Sequence, residues 1–156
     1  MEIQKMIVRQ IMIEEVERLW ECIKNLSEHH NKVSINFKGY YPSRTYEETL
    51  ETFREGLKSG KSKIAAIEVS EKIVGFCKID ICGEKGKLDY LVVLPEYRSN
   101  GYGIALIDWA MGQFVDHHVS QVEVKVVDGN DVIHLYEKYG FKINAHLLWY
   151  TLEKNK

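Results

Sequence analysis

The sequence predicts an α/β (α+β) domain in which helices flank a mixed, mostly antiparallel central sheet. Three observations predict it. Apolar residues recur at three- and four-residue steps in the first third of the chain, short β-branched runs separated by turn residues fill the middle, and a strand–helix–strand pattern follows from Lys87 to Val127. A length of 156 residues with 45% hydrophobic content suffices for one domain with a real core, so residues 1–156 are read as a single unit.

The opening stretch, Met1–Ile13, is apolar but broken by Glu2, Lys5 and Arg9, which suits a first strand and not the core of a signal peptide. Val16, Leu19, Trp20, Ile23 and Leu26 then form the stripe of a helix burying one face, with Glu14 and Glu15 in the first turn where the helix dipole favours negative charge. The stretch "HHNKVSINFKGYYPS" has no period and reads as a connection. Thr45 and Glu48 have the spacing of a capping box, and Tyr46, Leu50, Phe53 and Leu57 continue a second helix stopped by Gly60. The runs "KIAAIEV", "KIVGFCKIDI" and "KLDYLVVL", separated by "SE" and "CGEKG", read as an antiparallel meander. A longer helix follows Gly103 with Ile104, Ile107, Met111 and Phe114 as its stripe, "QVEVKVV" alternates as a half-buried strand, "NDVIHLYEKYG" is a short helix ending at Gly140, and "LLWYTLE" supplies a last strand. Strands Leu88–Leu94 and Val122–Val127, joined by a helix, form a crossover unit and are expected to be parallel. The Arg98–Gly103 loop then lies at a strand's C-terminal end, where open sheets bind ligands.

Composition excludes several function classes. A formal net charge of -2, with both signs spread along the chain, offers no polyanion-binding surface, so no nucleic acid partner is expected. No apolar run approaches membrane-spanning length, and the expectation is a cytoplasmic protein with no membrane association. Cys22, Cys77 and Cys82 are odd in number and lack any metal-ligand spacing, which predicts reduced thiols and no metal site.

The loop "LPEYRSNGYG" carries the chemistry. A helix starting near Asn100 or Gly101 points unpaired backbone N–H groups outward with the positive end of its dipole behind them, a ready site for an anion. Gly101 and Gly103 let a phosphate approach the main chain, and Arg98 adds a permanent charge able to fork onto phosphate oxygens. Taken alone, Pro, Ser, Asn and Gly there are equally ordinary turn residues. No Lys-Ser/Thr follows the glycines, so this is not a P-loop, and Leu106 occupies the third glycine position of a dinucleotide fingerprint.

"YLVVLPEYRSNGYGIALIDWA" resembles the acyl-CoA binding motif of the GNAT N-acetyltransferase family, a strand ending in Val-x-Pro followed by Arg/Gln-x-x-Gly-x-Gly/Ala opening a helix. "VIHLYEKYGF", Val132 to Phe141, resembles the same family's second segment, in the family's order and at a familiar separation. The resemblance implies a GNAT-like acyltransferase fold, acetyl-CoA as cosubstrate and no metal. It implies that backbone amides of Arg98, Ser99, Asn100, Gly101, Tyr102 and Gly103 grip the CoA pyrophosphate. Main-chain groups of Leu91, Val92 and Val93 would run along the pantetheine where the two flanking strands splay apart. Tyr136 matches the tyrosine that donates a proton to the departing thiolate. One departure stands out: the position of the family's pantetheine-binding Asn falls on Gly129, so Asn130, one residue late, either contacts the cofactor or only caps the helix.

Direct attack of the acceptor in a ternary complex is implied, with a backbone N–H near Val93 facing the developing oxyanion. The acceptor amine must lose a proton as it attacks. Asp89, on the same strand face as Leu91 and Val93 by alternation, is the first candidate base and Glu123 the second; both are also plain strand residues. The acceptor, a primary amine of a small molecule or peptide, would be met by "EHHNKVSINFKGYYPSR", whose His29, His30, Tyr40 and Tyr41 either line a pocket or pack within the loop. Lys32, Lys38 and Arg44 outnumber Glu28 there, which suits an anionic acceptor. A non-catalytic acyl-CoA-binding module remains the alternative, and the apolar "LLWYTL" could contribute to a homodimer.

Overall fold

The structure, a computed structural model, describes residues 8–152. Residues 1–7 and 153–156 lie outside the described residues, so only Val8–Ile13 of the opening stretch and Leu147–Leu152 of the expected last strand can be compared. Five strands form one sheet in chain order: β1 (Val8–Gln10), β2 (Ser62–Val69), β3 (Lys72–Cys82), β4 (Lys85–Val93) and β5 (Gln121–Val124). The first four are antiparallel neighbours and β5 joins β4 in parallel, as the crossover pattern predicts. A 3-10 turn, Ile13–Leu19, leads into α1 (Trp20–Val33); α2 (Tyr46–Ser59), α3 (Tyr102–Asp116) and α4 (Ile133–Lys138) complete the helices.

The sheet is covered on both faces, and its period of two divides the middle strands between two cores. Ile64, Ala66, Phe76, Val92 and Leu94 pack with Val16, Leu19, Ile23, Leu50 and Phe53 beneath α1 and α2. Ala65, Ile67, Cys77, Ile79 and Leu88 pack with Leu106, Ile107, Ala110, Phe114 and Tyr136 beneath α3 and α4. Burial on both sides explains why β2 and β3 are continuously apolar in sequence. The Thr45 hydroxyl accepts the Glu48 N–H at 3.2 Å, and Gly60 closes α2 in the left-handed conformation at φ 82°, so both predicted boundaries of that helix hold. No helix among the described residues is long and apolar enough to cross a membrane.

Three expectations are corrected. Trp20 is not part of the buried stripe: half its surface is exposed, with Lys24 Nζ 5.7 Å from its ring centroid. The 3-10 turn ahead of it advances about 120° per residue instead of 100°, which swings Trp20 off the face that Leu19 and Ile23 bury. Ile104 is likewise exposed, and Leu106 and Ala110 take its place against the sheet. The last strand is absent among the described residues: 141–152 form no ladder, and Trp149 instead packs edge-on against Phe37, ring centroids 5.2 Å apart. Local β preference makes no strand unless a neighbouring edge supplies hydrogen bonds.

An ion-pair network ties the first strand to the sheet. Arg9 reaches Glu15 at 2.6 Å and Glu68 at 2.5 Å, and Arg18 reaches the same two carboxylates. The hydrogen bond from Arg9, then that from the Met12 N–H, holds the Glu15 carboxyl down at about 2. Its pKa is lowered on folding, so it contributes stability above the unfolded value near 4.5 that is lost as pH falls from there towards 2. Urea unfolding between pH 5 and pH 2 should therefore show a slope that Glu15→Gln reduces.

Candidate functional site

The site begins with a fault in the sheet. β5 pairs with β4 only from Lys85↔Gln121 to Leu88↔Val124. One residue later β4 carries a β-bulge: Tyr90 opposes Lys78 and Leu88 opposes Ile79, leaving Asp89 without a partner. A bulge bends and twists its strand, and β4 parts from β5 at this point. Between them lies a cleft of about 560 Å³ lined by Leu88–Val93 on one side and Val124–Val127 on the other.

The free edge of β4 faces this cleft. The Leu94 N–H donates to the Val74 carbonyl at 2.8 Å, making 74–94 a hydrogen-bonded pair with β3. Antiparallel pairs alternate, so Val92 and Tyr90 also point their main chain at β3, while Leu91 and Val93 turn theirs into the gap. Arg98 Nε donating to the Val93 carbonyl at 3.1 Å agrees with that direction. Of the three residues expected to offer main-chain groups, Leu91 and Val93 do so; Val92 has its side chain buried under α1 and α2.

The loop after β4 closes one end of the cleft. Pro95–Tyr97 form a single 3-10 turn, Ser99 and Gly101 take positive φ of 66° and 81°, and α3 starts at Tyr102. The first intrahelical bond is Ala105 N–H to the Gly101 carbonyl, which leaves the preceding amides without helical acceptors. Arg98, Ser99, Gly101, Tyr102 and Gly103 all line the cleft. Asn100 does not. Its side-chain amide donates to the carbonyls of Tyr97 at 3.1 Å and Arg98 at 3.4 Å and holds the turn.

Tyr136, on α4, reaches the same cleft from below, with its ring edge-on to Phe141 at 5.6 Å. Burial, and secondarily nearby Cys77, pushes its phenol well above the ordinary value, so the group stays protonated at any physiological pH. Burial pushes the thiols of Cys22 and Cys77 up to about 12, which leaves them inert as nucleophiles near neutrality.

The far wall comes from α1. His29 and His30 line the cleft, whereas Tyr40 packs on Phe37 and Tyr41 lies edge-on to His30 at 5.2 Å. Burial, then the charge of Arg98, lowers the His29 pKa; burial, then His29, lowers that of His30. Both imidazoles are therefore neutral at pH 7. Of the three basic residues in this connection, Lys38 donates to the Lys32 carbonyl and Arg44 to the Thr52 hydroxyl of α2, and none of the three lines the cleft; the cations that do are Arg98 and Lys125.

The departure at Gly129 has a physical cause. Gly129 sits at φ 94°, and a Cβ there would run into the Val33 carbonyl at the end of α1. Only glycine lets α1 come this close. Asn130 lines the cleft and its side-chain oxygen accepts the Val132 N–H at 3.1 Å in the turn that leads into α4. Gly129→Asn, which would restore the usual residue, should cost upwards of about 2 kcal/mol in chemical denaturation and give no tighter ligand binding.

Asp89 lines the cleft but not on the expected face. Its carboxylate meets Lys78 Nζ at 2.7 Å and Lys87 at 3.5 Å, and Lys78 lies over the Phe53 ring of α2. The extra residue of the bulge resets the alternation, so Asp89 follows Tyr90 and not Leu91 and Val93. Glu123 is exposed and outside the cleft. Lys78, buried between Asp80 at 2.8 Å and Asp89, is the residue that sequence reasoning missed. A lone Lys inside the apolar run "FCKID" was the available signal. Among the described residues no group of three or more His, Cys, Asp or Glu is placed to hold a metal ion.

Comparison with known proteins gives a consistent outcome. A model of the acetyltransferase (GNAT) family matches residues 20–141. The fold is similar to that of the PaiA N-acetyltransferase from Thermoplasma acidophilum in complex with coenzyme A, at TM-score 0.74 and 20% identity over 90% of this chain and 92% of that one. A predicted acetyltransferase from Clostridium acetobutylicum with acetyl-CoA matches at TM-score 0.73 and 16% identity, covering 94% and 96%. An aminoglycoside N-acetyltransferase in complex with CoA matches at TM-score 0.72 and 14% identity, covering 96% of each. At these identities the likeness is one of fold.

Proposed function

This chain belongs to the acetyltransferase (GNAT) family, and we propose that it transfers the acetyl group of acetyl-CoA to a primary amine of a small molecule or peptide by direct attack in a ternary complex. The observation that carries the reading is the parting of β4 from β5, which brings a free main-chain edge, the start of α3 and a protonated tyrosine to one cleft.

The residues present fit the cosubstrate. Gly103 has no positive φ to require glycine, and a Cβ on it would meet nothing within 4 Å, so its missing side chain leaves room for a phosphate against the amides. The main-chain groups of Leu91 and Val93 offer an extended arm the bonds of an added strand. Acetyl-CoA supplies, when bound, a thioester carbonyl activated toward amines.

This chain's groups then divide the work. Amides of Arg98 to Gly103 and the dipole of α3 hold the diphosphate, and the Val93 N–H faces the oxygen on which negative charge develops. Tyr136, protonated by virtue of its burial, holds its proton on Oη for the departing sulfur. The proton of the attacking amine goes to a group lining the cleft, either a neutral imidazole of His29 or His30 on the α1 wall or the Asp89 carboxylate on β4. With Cys22 and Cys77 held as thiols, no covalent acetyl-cysteine is needed.

The test is thiol release from acetyl-CoA with a broad panel of primary amines. Turnover is expected, and Tyr136→Phe should lower kcat by roughly 10²-fold while thermal stabilisation by CoA persists. Stabilisation by CoA without turnover of any amine would instead make the chain a binding module, and no response to CoA would end the reading.

A further inference from the structure

The cleft relies on a helix with little to hold it. α4 spans only Ile133–Lys138, a length that does not stand alone in water. Its N-cap, Val132, offers no side-chain cap, and residues 141–152 after it form no ladder with the sheet. The helix is therefore placed by the side chains it turns inward. Tyr136 is buried with Leu106, Ile107 and Ala110 of α3. Tyr139, three residues on, lies on the same face, and its Oη–H donates to Oδ1 of Asp108 on α3 at 2.7 Å. Among the described residues this is the one side-chain hydrogen bond that joins α4 to another element. Burial, then this bond, pushes the Tyr139 phenol up to about 12, so it remains a donor at neutral pH.

We propose that Tyr139 and Asp108 are positioning residues for the transfer, the hydrogen bond between them fixing the roll of α4 against α3 and with it the aim of Tyr136 Oη at the departing sulfur. The inference rests on the proposed role of Tyr136 as proton donor. α3 holds the diphosphate end of the cosubstrate at its first turn and α4 carries the donor, so the distance from donor to sulfur is only as fixed as the setting of these two helices. A roll of about 10° carries the tip of a helix side chain about 1 Å. Misplacement by about 1 Å costs up to about 10²-fold in rate. Neither Tyr139 nor Asp108 lines the cleft, so the pair acts through Tyr136 and not by touching a substrate. Asp108 is exposed and Tyr139 half-buried, so losing the bond should leave the melting temperature within about 3 °C of the parent.

Steady-state kinetics of the full chain, with acetyl-CoA and an amine that the parent turns over, tests the assignment. Tyr139→Phe keeps the ring and removes the hydroxyl; it should lower kcat roughly tenfold with the KM for acetyl-CoA unchanged. Asp108→Ala should match it, while Asp108→Asn, whose amide oxygen still accepts, should keep most of the rate. In a Tyr136→Phe background, Tyr139→Phe should lower kcat no further, because no proton is left to aim. A merely structural role would lower it by the same factor in both backgrounds. Full kcat in Tyr139→Phe, or an equal loss in the Tyr136→Phe background, would overturn the inference and leave the transfer reading intact. A parent chain that turns over no amine would overturn the transfer reading and the inference with it.

Discussion

Gly103→Val should weaken acetyl-CoA binding at least tenfold, equivalent to about 1.4 kcal/mol, while leaving the melting temperature unchanged or slightly raised. The two halves of this result come from separate physics. Glycine in a helix costs up to about 1 kcal/mol relative to alanine, through the freedom it loses on folding. Gly103 is the second residue of α3, it has ordinary helical φ, and a Cβ on it would meet no atom within 4 Å. Nothing in the protein's own packing asks for glycine there, so a side chain is tolerated by the fold. The space that the side chain would fill is the cleft itself, in front of the unbonded amides at the start of α3. Isothermal titration with CoA, beside a thermal melt, separates the two effects, and Gly103→Ala should fall between. Gly101 is the uninformative neighbour: at φ 81° any substitution there strains the backbone and lowers stability whatever it does to binding. Unaltered affinity in Gly103→Val would mean that the diphosphate is not held at α3.

The contrast between these two glycines shows what the sequence could and could not say. Both were legible as members of a loop, and the strand before and helix after it were legible from period alone. The meander and the Thr45 cap of α2 were readable because each is set by residues close in sequence, and the parallel β4–β5 pair because a strand–helix–strand crossover dictates it. Two things were not. Register faults depend on the partner strand: nothing in "KLDYLVVL" marks the bulge at Asp89, yet that one unpaired residue turns Asp89 to the other face and opens the cleft. Close approaches between distant segments are also invisible; the Gly129 position looked like a slipped motif until the α1 carbonyl beside it supplied the reason. The final run "LLWYTLE" fails differently. Its β preference is plain, but a strand is a relation between two edges, and the chain alone does not say whose edge.

Lys78→Met should destabilise the protein by about 3 kcal/mol at neutral pH, and the deficit should shrink as pH falls from neutrality towards about 4. Lys78 is 2% exposed in the middle of β3, and its ammonium is the shared partner of Asp80 and Asp89. Burial by itself raises the Asp80 carboxyl, but the hydrogen bonds from Lys78 and Ser62 outweigh it and leave the group below its ordinary value. Such a carboxylate contributes stability above its unfolded pKa near 3.8 and loses it as pH drops through the folded value. Without the ammonium the sign reverses. The two carboxylates then face each other across an apolar gap beside Phe53, and the folded state is penalised wherever they remain ionised. Acid relieves the penalty by protonating them. The magnitude sits at the lower end of the range for a broken buried pair because the Asp80 and Asp89 side chains keep 13% and 21% exposure. Removing all three charges, as Lys78→Met with Asp80→Asn and Asp89→Asn, should recover most of the loss, since a well-packed neutral cluster avoids the desolvation that the ions incur. Urea unfolding of the single and triple variants at pH 7 and pH 4 measures both effects. A single variant as stable as the parent at pH 7 would show that the ammonium does not hold these carboxylates, and with it would go the reason for Asp89 facing α2.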